Sequence, residues 1–139
     1  MKTVSDIMVS NVLSVEDTDN VHQARMLLKE KGIRHLPVIS HENGEYIGML
    51  TQASLLNHVF NIVEKFGLSG LEKREIRTQV KDIMSTDGKV AAPGMDLSDA
   101  GEFFKTKKVS CLPIVENNQL KGIVTSVDFV KLSLHLLKA

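Results

Sequence analysis

Few residues in this 139-residue chain have types and spacing that could do chemistry. Five histidines (His22, His35, His41, His58 and His135) and one cysteine, Cys111, are present, but no two of them stand at a metal-ligand spacing with each other or with carboxylates. No Gly-x-Gly-x-x-Gly, phosphate-loop lysine motif or nucleophile elbow occurs. No catalytic residue and no metal ligand is therefore assigned. Asp6 and Asp82 each precede an Ile-Met pair, which suits local bonding to backbone amides better than paired acid and base work. Cys111 sits inside an apolar run and is expected to be a buried, inert thiol. The methionines Met8, Met26, Met49, Met84 and Met95 read as core or cleft lining rather than a thioether metal site.

What remains is Thr125-Ser126-Val127-Asp128. It opens a helix-period segment, and a helix N-terminus offers unpaired N–H groups and the positive end of a dipole, which suits an anionic phosphate. Thr125 can add a hydroxyl. A carboxylate one turn in, at Asp128, can accept from both hydroxyls of a vicinal diol, as a ribose presents them. The residues alone favour a second reading, in which Thr125 is only an N-cap and Asp128 only an acid suited to a helix start. An earlier stretch, Thr51-Gln52-Ala53-Ser54, has the same form with Ser54 in place of the acid. A serine has one hydroxyl and no charge, so this copy is expected to hold a diol poorly or to bind something else.

The two stretches belong to a tandem duplication. Pro37 in Arg34-His35-Leu36-Pro37-Val38-Ile39 aligns with Pro113 in Ser110-Cys111-Leu112-Pro113-Ile114-Val115, 76 positions on. At the same offset Val4, Asp6, Ile7 and Met8 meet Val80, Asp82, Ile83 and Met84. The offset then falls to 74, because the loop from Ile39 to Gly48 is two residues longer than the one from Val115 to Gly122, and Thr51 meets Thr125. Each copy reads as a lead-in, a strand (12–15; 89–91), an amphipathic helix (from Val21, capped by Asn20 and stopped at Gly32; from Leu97 to Lys107, capped by Asp96), a buried strand (33–39; 109–115), a hairpin, a strand (46–50; 120–124) and a last helix behind Thr51 or Thr125. Residues 1–67 and 80–139 are the expected motifs and 68–79 the linker. A three-stranded sheet with two helices on one face leaves its other face bare, so two copies related by a pseudo-twofold axis are expected to bury those faces in one domain.

Lys plus Arg equals Asp plus Glu at 17 each, which gives no charge argument for nucleic acid or an anionic membrane as partner. With 42% hydrophobic residues the chain can bury a sizeable core. No apolar run approaches a membrane span and no leader pattern is seen, so a soluble, cytoplasmic protein is expected.

Asp-Ile-Met twice, Leu-Pro-Val and Leu-Pro-Ile, then Gly-Met-Leu-Thr and Gly-Ile-Val-Thr opening the last helices, all in order and covering about residues 4–137, make the chain resemble a tandem pair of CBS motifs, named after cystathionine beta-synthase. It is similar in size to free-standing bacterial CBS-domain proteins, including the acetoin-utilisation (AcuB-like) group. The resemblance implies an α+β (α/β) fold, with two pseudo-twofold-related βαββα motifs packed through their sheets into one Bateman module. It also implies a regulatory, non-enzymatic role, with AMP, ADP or ATP as ligand rather than as a catalytic cofactor. Thr-x-x-Asp is that family's nucleotide-ribose motif, which favours Thr125 and Asp128. Met8 and Leu13 would then be apolar contacts, and the backbone of Ile33, Arg34 and His35 would face the base. Arg34 and His35 could reach a phosphate, or be a solvated strand end and a satisfied histidine. The pseudo-symmetric, weaker cleft would use Thr51 and Ser54 with Met84, Val109, Ser110 and Cys111. A homodimer through Phe60, Phe66, Leu134 and Leu137 and an unidentified regulated protein are the implied partners. Another adenosyl ligand, S-adenosylmethionine or NAD, and a ligand-free scaffolding dimer are the alternatives.

Overall fold

The computed structural model describes residues 2–107 and 109–139. It contains two compact units, one of residues 13–88 and one of residues 1–12 with 89–139.

In the first unit, β1 (Val15–Glu16) lies parallel to β2 (His35–Ile39), which pairs antiparallel with β3 (Tyr46–Thr51). Helix α1 (Val21–Lys31) begins at a reciprocal cap: the Gln23 amide N–H donates to Asn20 Oδ1 at 2.8 Å. It ends at Gly32, whose φ of 63° is the left-handed conformation that a helix stop favours in glycine. Helix α2 (Gln52–Phe66) follows β3 directly. The β-branched and aliphatic alternation in Leu36-Pro37-Val38 and Leu50 buries one sheet face against Val21, Ala24, Leu28 and Leu55 of the two helices.

Residues 68–79, expected to be a linker, are helical: a 3-10 turn over Leu68–Gly70 and helix α3 (Leu71–Arg77). Glu75 on α3 is fully buried, its carboxylate accepting from Arg25 Nε at 2.7 Å and Nη2 at 2.8 Å. A charged group this far from water persists because the guanidinium meets it bidentately. Beyond α3 the chain runs along residues 17–21, with Val80 N donating to Asp19 O at 2.8 Å and Lys81 N to Asp17 O at 3.0 Å. Met49 and Ser85 then exchange both backbone bonds at 2.9 Å.

The second unit holds helix α4 (Leu97–Lys107), the antiparallel pair β4 (Cys111–Glu116) and β5 (Gln119–Thr125), and helix α5 (Ser126–Lys138). Asn117 and Asn118, at φ of 53° and 65°, make the tight β4–β5 turn. Two consecutive left-handed residues are what a two-residue hairpin needs. Val4, Ala91, Ala100, Leu112, Ile114 and Val124 form the core, and the Phe104 and Phe129 rings meet edge-on at 5.4 Å.

Two sequence expectations are corrected. The strand expected at 89–91 is reduced to one parallel bridge, Ala91 to Ile114, where Gly88 and Pro93 leave little regular backbone. The one expected at 12–15 is instead Val15–Glu16, where Val38 and Ile39 supply partners. The lead-ins also pack crosswise: 4–8 with the second copy's strands, 80–84 with the first copy's. Val9 exchanges backbone bonds with Ile123 at 2.9 and 3.0 Å. Glycine is needed on the strand at both crossings. A Cβ on Gly122 would meet Val9 O at 2.7 Å and Met8 Sδ at 2.9 Å, and one on Gly48 would meet Met84 Sδ at 2.8 Å and Ser85 O at 2.9 Å.

Candidate functional site

At the start of α5, Asp128 is only 7% exposed. Its Oδ2 accepts the Thr125 backbone N–H at 2.8 Å and lies 3.3 Å from the Thr125 hydroxyl. A carboxylate has about four acceptor positions on two oxygens, so these local bonds leave Oδ1 unengaged among the described residues. The Ser126 N–H donates to Ser110 O at 3.3 Å, tying the helix start to the residue before β4.

At the start of α2 the serine closes on itself. Ser54 Oγ accepts the Thr51 N–H at 3.1 Å and donates to Thr51 O at 2.9 Å, while Ser54 N donates to Thr51 Oγ1 at 3.1 Å. The hydroxyl's one proton is thus committed. The Gln52 N–H donates to Arg34 O at 2.9 Å, the counterpart of the Ser126–Ser110 bond.

The residues beside the two helix starts differ in chemistry and agree in charge. Cys111 pairs with Thr125 across β4 and β5. Burial, and then the Asp128 carboxylate, push its thiol up to about 12. His35 pairs with Thr51. Burial, and then the Arg34 guanidinium, push its imidazole below the usual histidine value. Both are neutral at pH 7, so Cys111 is no nucleophile and His35 brings no positive charge; Arg34 is the cation of that pair.

Thr125, Asp128 and Met8 fall in one unit, together with Val109, Ser110 and Cys111. Leu13, Ile33, Arg34 and His35 fall in the other, together with Thr51, Ser54 and Met84. Met8 and Met84 stand at Gly122 and Gly48 through the crossed lead-ins. Sequence reasoning missed that exchange; a glycine inside each strand was its only trace. It also missed the cluster around Glu75, which His22 Nδ1 joins at 3.3 Å. His41 Nδ1 lies 2.9 Å from Asp17 Oδ1 and is raised in pKa mainly by that bond. No cluster of three or more potential metal ligands occurs among the described residues. Asp6 behaves as expected, its Oδ2 accepting the Lys2 and Thr3 N–H groups at 2.7 and 3.0 Å.

The 13–88 unit also carries a pocket of about 420 Å³ between the end of α1 and the start of α2. Arg25, Lys29 and Arg34 line it, over Leu28, Ile33, Leu55 and Leu56.

The CBS domain family profile matches residues 4–61 and 80–135. The chain belongs to the CBS-domain family. The CBS domain-containing protein YhcV of Bacillus subtilis is 30% identical over 128 residues, covering 92% of this chain and 83% of YhcV. Several other curated relatives are longer: the chain spans 31% of an uncharacterized protein of Methanocaldococcus jannaschii and 23% of an inosine-5'-monophosphate dehydrogenase of Staphylococcus epidermidis. The crystal structure of an acetoin utilization protein (AcuB) from Vibrio cholerae superposes with a TM-score of 0.81 at 28% identity, covering 99% of this chain and 94% of that one. CBSX2 in complex with AMP gives a TM-score of 0.81 at 29% identity, covering 98% of each chain. The fold is thus that of a CBS pair, and each matched CBS stretch ends in the helix that Thr51 or Thr125 opens. No helix among the described residues is long and apolar enough to cross a membrane.

Proposed function

We propose that this CBS pair is a regulatory, non-catalytic module that senses an adenine nucleotide, AMP, ADP or ATP, through Thr125 and Asp128. The observation that carries the reading is the nearly buried Asp128 carboxylate at a helix N-terminus, with local bonds on Oδ2 only. Its free acceptor positions suit the two ribose hydroxyls, and the start of α5 suits a phosphate. The AMP complex of CBSX2 supports the ligand class. Met8, held at Gly122, offers an apolar contact for the base. Leu13, Ile33, Arg34 and His35 complete the proposed set, with Arg34 supplying the charge toward phosphate.

Thermal shift against AMP, ATP and adenosine tests this. At AMP one hundred times Kd, mass action stabilises the folded state by about 2.7 kcal/mol. Asp128→Ala abolishes that shift, and Arg34→Ala weakens ATP more than adenosine. Flat curves for all three compounds overturn the reading.

A second reading keeps Asp128 on ribose with S-adenosylmethionine or NAD as ligand, and the same assay with those compounds separates the two. A scaffolding role is favoured by the capping bond that Asp128 makes with Thr125. In either case we propose a homodimer through the helical faces, where Phe60 is 68% and Leu137 is 81% exposed and Phe66 and Leu134 stand about half exposed. Sedimentation of Phe60→Asp tests it, with a shift to monomer expected. An unidentified regulated protein remains part of the proposal, because sensing needs a recipient whose state the ligand biases.

A further inference from the structure

We propose that the pocket between the end of α1 and the start of α2 is a second ligand site, for a phosphorylated organic molecule with an apolar body, which shares Ile33 and Arg34 with the proposed nucleotide set but does not use Thr125 or Asp128.

Its volume of about 420 Å³ lies within the range of small-molecule pockets, roughly 300–1,000 Å³, and exceeds what a lone ion fills. Its lining carries three cations and no acidic side chain. Lys29 and Arg34 make no ion pair among the described residues, so two positive charges face this space uncompensated. That balance fits a dianion, as a phosphate monoester is, better than a monoanion.

The third cation is pre-set. Arg25 gives Nε and Nη2 to the fully buried Glu75, which fixes the guanidinium plane and leaves Nη1 as its unengaged nitrogen. A donor held in place before binding loses less entropy on capturing a ligand than a free side chain does. Glu75 is thus a positioning residue for the pocket, and it is itself outside the lining. The floor of Leu28, Ile33, Leu55 and Leu56 is apolar, which an inorganic ion leaves uncovered and an organic body covers. All of these residues lie in the 13–88 unit, and Asp128 lies in the other.

The experiment is an amide NMR titration of the full chain with phenyl phosphate, and with inorganic phosphate at equal ionic strength. Phenyl phosphate is expected to shift the Gly32, Arg34 and Gln52 amides saturably, with inorganic phosphate weaker by about tenfold for want of the buried apolar area. Lys29→Glu, on the exposed helix surface, is expected to weaken phenyl phosphate by about tenfold or more. Asp128→Ala is expected to leave it unchanged, which separates this site from the one under Proposed function. Leu56→Asp, also at an exposed position, places a repelling charge over the floor and gives an independent loss. The proposal is overturned by a titration without saturable shifts at those amides, by Lys29→Glu or Leu56→Asp binding like the unaltered protein, or by loss of binding in Asp128→Ala.

Discussion

The starts of α2 and α5 are the same backbone twice, with one side chain changed. In both, a threonine ends a strand and the next residue's N–H reaches back to the residue before the partner strand. The residue three places on bonds the threonine's own N–H. At Ser54 that bond, with the return bond to Thr51 O, commits the hydroxyl's proton. At Asp128 the same cap uses one oxygen of two. A helix cap and a ligand site are therefore compatible in the second copy and compete in the first, because a carboxylate has spare acceptors and a hydroxyl does not.

The largest test of this contrast is chemical. With its thiol pushed up to about 12, Cys111 in the native fold should react with iodoacetamide at pH 8 about a thousandfold more slowly than a free cysteine, timed by mass spectrometry. Asp128→Asn should speed that reaction, because the carboxylate is the second cause of the rise. Next comes ligand stoichiometry. Losing two charge-assisted hydrogen bonds in Asp128→Ala costs about 3 kcal/mol, or about 100-fold in AMP affinity, whereas Ser54→Ala leaves affinity nearly intact. Ser54→Asp should add a second binding event in calorimetry, and equal losses from the two alanine variants would break the contrast.

A smaller test compares the two crossings. Gly122→Ala and Gly48→Ala should each destabilise by about 1–3 kcal/mol in urea unfolding, since a backbone carbonyl must move. The effect should be larger at Gly122, where that carbonyl is 2.7 Å from the new Cβ against 2.9 Å at Gly48. The smallest concerns the hairpin that is two residues longer in the first copy, where His41 bonds Asp17. His41 should titrate above the usual value of 6.5, and Asp17→Asn should lower it, both read by NMR. Because the folded pKa is raised, this contact's contribution is complete below pH 6.5 and is lost as pH rises through the higher folded value. Asp17, whose pKa is lowered, sets the other limit, the contribution fading as pH falls below 3.8.

Helices α1, α2, α4 and α5, the inner strands and both turns were legible in the chain because each has a local cause: Asn20 and Gly32 bracket α1, and the Leu-Pro pairs mark the buried strands, whereas α3 was read as a linker. That Thr125 and Asp128 meet at the start of α5 was legible because three-residue spacing at a helix start is itself local geometry. The crossed lead-ins were not, because Val4–Met8 and Val80–Met84 are nearly interchangeable as apolar patterns, and only the three-dimensional fit of Met8 at Gly122 and Met84 at Gly48 tells which sheet each takes. Nor was Glu75, whose partners on α1 lie 50 and 53 residues away within a charged run that reads as solvated surface. The short strands fell short of expectation for a related reason: strand length is set by what the neighbouring backbone offers, and one apolar run does not encode its neighbour.

The crossing of the lead-ins bears on the order in which the halves can mature. Residues 13–88 are one uninterrupted run and can close around their core once residue 88 has left the ribosome. Residues 2–12 precede that run and yet have no sheet to join until β5 is made, so an earlier segment waits for a later one. The half that carries Asp128 is therefore the last to become competent.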